Sequence, residues 1–170
     1  GDSKEAFEFT IRIVSVSYDV REGSVVLGED FTLAYNFDAA AVAALGAKDV
    51  DLSSLEYDRF NDRLLLLTSY EYEVTNSGRV SSLGGFLWTV SVADLDAGKP
   101  PTLVLRRDGQ PLVFAHKPEG LAVIDKTHLF IVHDDDREIV CEKTTEGKAE
   151  LCRQPHQAAY AVVRLDQGPD

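Results

Sequence analysis

The sequence contains no methionine and a single tryptophan, Trp88. It opens Gly-Asp-Ser rather than on an initiator residue, so it is expected to be a processed or truncated product from which a leader has been removed. No apolar run approaches the roughly 18 residues that a membrane-spanning helix needs, so no such span is expected. Basic residues are scarce, with 17 Lys and Arg against 29 Asp and Glu and a formal net charge of -12. Phosphate backbones need a basic footprint, so nucleic acid is excluded as a partner. The acids are mostly scattered, as on a solvated surface. No P-loop, dinucleotide fingerprint or G-x-S-x-G elbow occurs, and Ser81-Ser82-Leu83-Gly84-Gly85 does not fit the last of these.

Enough remains to build one domain. The 170 residues are 44% hydrophobic and 27% charged, which suits a single folded unit with a proper core. Two cysteines are present, Cys141 and Cys152, separated by EKTTEGKAEL. Glu146-Gly147 suits a two-residue hairpin turn, and pairing Thr145 with Lys148 brings Cys141 opposite Cys152. Directly paired strand residues have Cα separations within the disulfide range. A Cys141–Cys152 disulfide would imply an oxidising, extracytoplasmic compartment, periplasmic or secreted. The alternative is a pair of reduced thiols. Zinc is disfavoured, because His133 and His156 lack finger-like spacing.

Period-two alternation dominates the chain. Phe7, Phe9, Ile11 and Ile13 share one face of FEFTIRIVSV, which predicts a strand over Phe7–Val16. Ser24–Leu27 and Phe31–Tyr35 read as two strands of a hairpin around Gly28-Glu29-Asp30. Further strands are expected at Leu55–Tyr57, Leu64–Ser69, Gly85–Val92, Thr102–Arg106, Leu112–Phe114, Leu121–Ile124, Leu129–Val132, Ile139–Glu142, Ala149–Arg153 and Ala159–Leu165. The short stretch Ala39–Leu45, ended by Gly46, is the one helix candidate, or else a packed loop. These spacings predict an all-β, antiparallel protein with at most one short helix.

The strands repeat. SSLEYDRFNDRLLLLTSYEYE (Ser53–Glu73) matches EGLAVIDKTHLFIVHDDDRE (Glu119–Glu138): a Leu, an Asp-containing turn, four consecutive apolar residues and an acidic exit. Leu55 aligns with Leu121 and Leu64 with Leu129. Each unit later reaches an aromatic-led strand, Trp88-Thr89-Val90 and Tyr160-Ala161-Val162. A degraded third copy is read at Ser24–Asn36, and an insertion near Glu71–Gly84. Repeated hairpins of this kind suggest four-stranded propeller blades.

The phrases DLSSLEYDRFNDRLLLLTS and KPEGLAVIDKTHLFIVHDD resemble the blade openings of esterase-like and phytase-like bacterial β-propellers and of related propellers of unknown function. The resemblance covers Asp51 to Asp136 and implies a single β-propeller-like domain over residues 1–170. At about 40–50 residues per blade, the chain holds about three to four such units. It is then part of a longer propeller, or a homodimer that completes one, or a set of blades packed differently. The resemblance also implies that Glu119 faces a central channel, where it binds a cation or caps its turn.

Candidate chemistry centres on Lys117–Glu138. Glu119, with Asp134, Asp135 and Asp136, is the best available oxygen-ligand set for Ca2+, although no EF-hand spacing occurs. His116 and His133 flank the same stretch as candidate general bases or, with Lys117, ligand contacts. Trp88, Tyr57, Tyr70 and Tyr72 line a pocket or, more simply, pack between blades. Arg106, Arg107 and Lys117 are the one basic concentration available to a phosphate. Two functions follow as expectations: an extracytoplasmic module binding a small-molecule or protein ligand, with a structural Ca2+, or a metal-dependent hydrolase of the esterase-like or phytase-like kind.

Overall fold

The computed structural model describes residues 9–37, 50–73, 80–134, 141–143, 150–152 and 157–166. The chain is all-β. Its elements are β1 (Phe9–Asp19), β2 (Ser24–Phe37), β3 (Val50–Asp58), β4 (Arg63–Glu73), β5 (Val80–Ser91), helix α1 (Val92–Asp96), β6 (Thr102–Leu103), β7 (Val113–Phe114), β8 (Pro118–Val123), β9 (His128–His133), β10 (Cys141–Lys143), β11 (Glu150–Cys152) and β12 (Ala159–Arg164). All pairings are antiparallel. The first main sheet has the order β3-β4-β5-β6, with β7 sharing the β5 edge. The second has the order β12-β9-β8. Hairpins β1-β2 and β10-β11 form two-stranded sheets of their own.

Two sequence expectations are corrected here. Residues 24–37 form one strand, because β1 is long enough to pair with all of it. Val14 faces Phe31 and Val16 faces Leu27, so Gly28-Glu29-Asp30 is absorbed as a bulge opposite Ser15 rather than turning the chain. Val92 starts a helix instead of ending a strand: Ser91 accepts the Asp94 backbone N–H on its side chain and caps α1. The helix expected at Ala39–Leu45 lies outside the described residues.

The central strands β4 and β5 of the first main sheet are covered on both faces. On one face, Val50, Leu66, Phe86, Trp88 and Val90 cluster beneath Leu95 of α1, and Trp88 Nε1 donates to Thr68 Oγ1 at 3.0 Å. On the other face, Leu65, Leu67 and Leu87 pack with Leu129 and Ile131 of β9 and with Phe114. The inner face of the second sheet adds Leu121, Val123, Ala161 and Val163. Four consecutive leucines, Leu64–Leu67, therefore serve two cores, as a strand covered on both sides requires.

The repeat is real in the backbone, and the registers refine its alignment. Leu55 pairs with Leu66 in the first sheet, as Leu121 pairs with Ile131 in the second. Both first strands carry a register shift at the same place, between Leu52 and Ser54 and between Pro118 and Gly120. Glu119 therefore takes the place of Ser53. Leu67 pairs with Leu87, and its equivalent Val132 pairs with Tyr160. Tyr160 thus corresponds to Leu87, not to Trp88 as the aromatic match suggested. The supposed insertion at Glu71–Gly84 includes an outward extension of the β4-β5 hairpin as far as Glu73 and Val80. In the second unit the same connection, from β9 to β12, carries the β10-β11 hairpin.

Candidate functional site

The two sheets place polar residues at two opposite ends. One end gathers the residues singled out in the sequence. The bulged Ser53 shares a 2.6 Å hydrogen bond with Ser69, and Ser69 Oγ donates to Glu119 Oε1 at 3.3 Å. Lys117 Nζ lies 3.5 Å from both Glu71 and Glu119. The two bulges are thereby bridged across the sheet interface, and the Glu119 carboxylate is shared between a hydroxyl and an ammonium. His133 is buried and sits between Phe114 and His116, with its ring tilted against both and centroids at 5.7 and 5.6 Å. Asp134 is exposed, its backbone N–H bonded to Lys117 O at 3.0 Å.

Glu119, Lys117, His116 and His133 are thus brought to one end of the sheets. Asp135 and Asp136 lie outside the described residues. Among the described residues no group of three or more His, Cys, Asp or Glu is placed to hold a metal ion. Of the aromatic candidates, Trp88 and Tyr70 pack into the first core, whereas Tyr57 is exposed and donates to Asp62 at 2.7 Å. The side chain of Tyr72 lies outside the described ones. Gly84 and Gly85 are interior to β5 and do not form a loop.

The opposite end holds the turns. Asp58 is 1% exposed and accepts from Phe60 N, Asn61 N, Asn61 Nδ2 and Arg63 Nε. Burial works to raise its pKa, but the hydrogen bonds from Asn61, Arg63 and Phe60 outweigh burial and hold it low. In the second unit, Asp125 gathers the Thr127 and His128 backbone N–H groups, the Thr127 hydroxyl and the His128 ring. The bond from Thr127 N, followed by that from the His128 ring, brings its pKa down to about 2. Asn61 Nδ2 also donates to Lys126 O at 2.9 Å, which ties the two turns together.

Beside these turns a cleft of about 670 Å³ opens between β5-β6 and β12. Its floor is apolar, with Leu103, Val104, Leu112, Val163 and Leu165, and its walls carry Arg63, Arg106, Arg107 and Arg164. Arg63 is held by Asp58 at 2.8 Å, Arg106 by Asp108 at 2.9 Å, and Arg107 by both oxygens of Asp166 at 2.6 and 2.9 Å. Arg164 is exposed and makes no ion pair among the described residues, although it adds to the forces that lower the Asp166 pKa, of which the Arg107 hydrogen bond is the largest.

No protein-family model matches the chain, and no curated protein or solved structure does either. The cleft is the feature that sequence reasoning missed. Arg106 and Arg107 form a visible pair in the sequence and Lys117 stands near them there, yet Lys117 lies at the other end. Arg63 and Ser69 are six residues apart on β4, about 20 Å along an extended strand. Arg63 and Arg164 join the cleft through sheet topology, and each stands alone in the sequence.

Proposed function

We propose that the chain is a non-catalytic binding module, built of stacked propeller-like sheets, that takes an anionic ligand with an apolar body in the arginine-lined cleft. The observation that carries this reading is the concentration of four of the chain's ten arginines around one apolar floor, in a protein of net charge -12. Guanidinium groups pair bidentately with carboxylate and phosphate, and Asp58, Asp108 and Asp166 orient three of the four at the cleft. Arg164 supplies the unmatched charge. Leu103, Leu112 and Val163 offer contact to the rest of the ligand. The metal-dependent hydrolase draws no comparable support, because the Glu119 carboxylate is already engaged by Ser69 and Lys117.

Phenyl phosphate and hexanoate are suitable probes, with phenol and hexanol as neutral controls. At least one anion is expected to raise the melting temperature saturably and to give a calorimetric isotherm, while the controls do neither. Arg107→Ala with Arg164→Ala should weaken binding at least about tenfold, since each charge-assisted hydrogen bond contributes roughly 1.5–3 kcal/mol. Absence of a saturable response to either anion would overturn the reading, as would unchanged affinity in the double variant.

An extracytoplasmic setting belongs to the same proposal. Its support is the register of β10 and β11, which sets Cys141 directly opposite Cys152, Glu142 opposite Leu151 and Lys143 opposite Glu150. The Cys141 and Cys152 side chains lie outside the described ones, so the disulfide itself is inferred from the backbone pairing. Intact mass after alkylation without reductant is expected to show no added label, with two labels after reduction. Two labels before reduction would remove the disulfide and the argument for an oxidising compartment.

A further inference from the structure

The lining of the arginine cleft includes one hydroxyl, that of Thr89, the single uncharged polar side chain among the described residues there. Thr89 of β5 lies directly opposite Leu65 of β4, and Arg63 stands two residues before Leu65. Alternation therefore puts Arg63, Leu65 and Thr89 on one face, the face that packs on the second sheet. Leu65 belongs to the core between the sheets, and Arg63 and Thr89 border it where the cleft opens. The Arg63 side chain is 24% exposed, against 54% for Arg106 and 82% for Arg107. Arg63 and Thr89 thus form an inner subsite, and Arg106 and Arg107 belong to the rim.

Both inner groups have hydrogen-bonding capacity to spare. Thr89 Oγ1 is shielded from solvent and makes no hydrogen bond among the described residues, an arrangement that destabilises the free protein. Thr102, its cross-strand partner, spends its own hydroxyl on Thr89 O at 3.3 Å. The Thr89 residue as a whole is only partly buried. Rotation about its Cα–Cβ bond turns Oγ1 toward the cleft and breaks no hydrogen bond in doing so. Arg63 donates Nε to Asp58, and its terminal nitrogens make no bond among the described residues. Charge decides what such a subsite accepts. Asp58, Asp108 and Asp166 match three of the four guanidinium groups, which leaves Arg164 as the one unmatched charge. That suits a ligand with one anionic group. Arg63 with buried Asp58 is neutral as a pair, so its remaining N–H groups, like the Thr89 hydroxyl, favour a neutral acceptor over a second anion.

We propose that the cleft selects an oxo-acid, a monoanion held at the rim by Arg107 and Arg164, whose apolar chain carries a carbonyl oxygen that accepts from Thr89 Oγ1 and Arg63. The inference rests on the cleft being the binding site and adds the class of ligand that it takes. Thr89 is then the residue that sets specificity, one of the few polar groups that orient a ligand in an apolar pocket. A plain fatty acid leaves the Thr89 hydroxyl unpaired, whereas an oxo-acid supplies its partner, so the difference appears directly in affinity.

Calorimetric titration of the whole protein with hexanoate, 4-oxohexanoate, 5-oxohexanoate and adipate tests it. At least one oxo-acid is expected to bind roughly tenfold tighter than hexanoate, the scale of one or two net hydrogen bonds. It should also bind tighter than adipate, which brings a second charge. Thr89→Val should bring the ratio of oxo-acid to hexanoate affinity down to about one, and Thr89→Ser, which keeps the hydroxyl, should preserve it. Without ligand, Thr89→Val should melt no lower than the parent, because the hydroxyl it removes bonds nothing. Equal affinity for hexanoate and both oxo-acids overturns the inference while leaving the cleft an anion site, and so does binding of phenyl phosphate alone. A preference that survives Thr89→Val, tighter binding of adipate, or a lowered melting temperature for free Thr89→Val also overturns it. Silence towards every anion overturns the inference and the reading of the cleft together.

Discussion

Asp58→Ala is expected to lower the stability of the protein by about 3 kcal/mol, the scale for leaving buried hydrogen-bonding groups and a charge without their partner. The Asp58 side chain is 1% exposed and its carboxylate accepts from the backbone N–H groups of Phe60 and Asn61, the Asn61 amide and the Arg63 guanidinium. Alanine removes all four acceptor contacts at once and leaves Arg63, which is only 24% exposed, without its counter-charge. The damage extends beyond one turn. Asn61 is oriented by Asp58 Oδ2 at 2.7 Å while its amide also reaches Lys126 O, so losing Asp58 loosens the tie between the two units. Asp58→Asn keeps an acceptor for the backbone groups and should cost about half as much, mostly through Arg63. Urea unfolding of parent and variants gives the comparison. A loss below 1 kcal/mol for Asp58→Ala would mean that the turn is not a structural anchor.

Asp58 also shows where a sequence stops being readable. The Asp-containing turn between Leu55 and Leu64 was evident, and so were the flanking strands, because alternation and apolar runs are local properties of a strand. The all-β class, the Leu55/Leu121 equivalence and the Cys141–Cys152 register were legible for the same reason. Burial was not legible. Asp58 and Asp125 open similar turns, yet the first carboxylate is buried and the second exposed. The mistaken alignment of Trp88 with Tyr160 has a related cause. Matching aromatics one residue out of phase reverses which face each belongs to, and only the ladder register reveals it. The arginine cleft was hidden more deeply, because its four guanidinium groups come from β4, from the connection after β6, and from β12.

The same reasoning identifies the position where the smallest side-chain change should do the most harm. Gly85→Ala is expected to destabilise the fold by about 3 kcal/mol, the upper range for overpacking a closed interface. Gly85 lies well inside β5, paired with Ser69 on one side and Phe114 on the other. A Cβ there would overlap the Thr68 carbonyl oxygen and the ring of Pro118. Neither group can yield by changing rotamer: one belongs to the β4 backbone, and the other is a fully buried proline at the start of β8. The missing side chain is what lets the second sheet approach the first at this end, where Ser69 reaches Glu119. Gly109→Ala provides the contrast, since nothing lies within 4 Å of its Cβ and its cost is only the strain of φ +77°, about 1 kcal/mol. Pro118→Ala should recover part of the Gly85→Ala loss in the double variant, giving a coupling energy that marks direct contact. Additive losses would show instead that Gly85 is required by its own strand and not by the meeting of the two sheets.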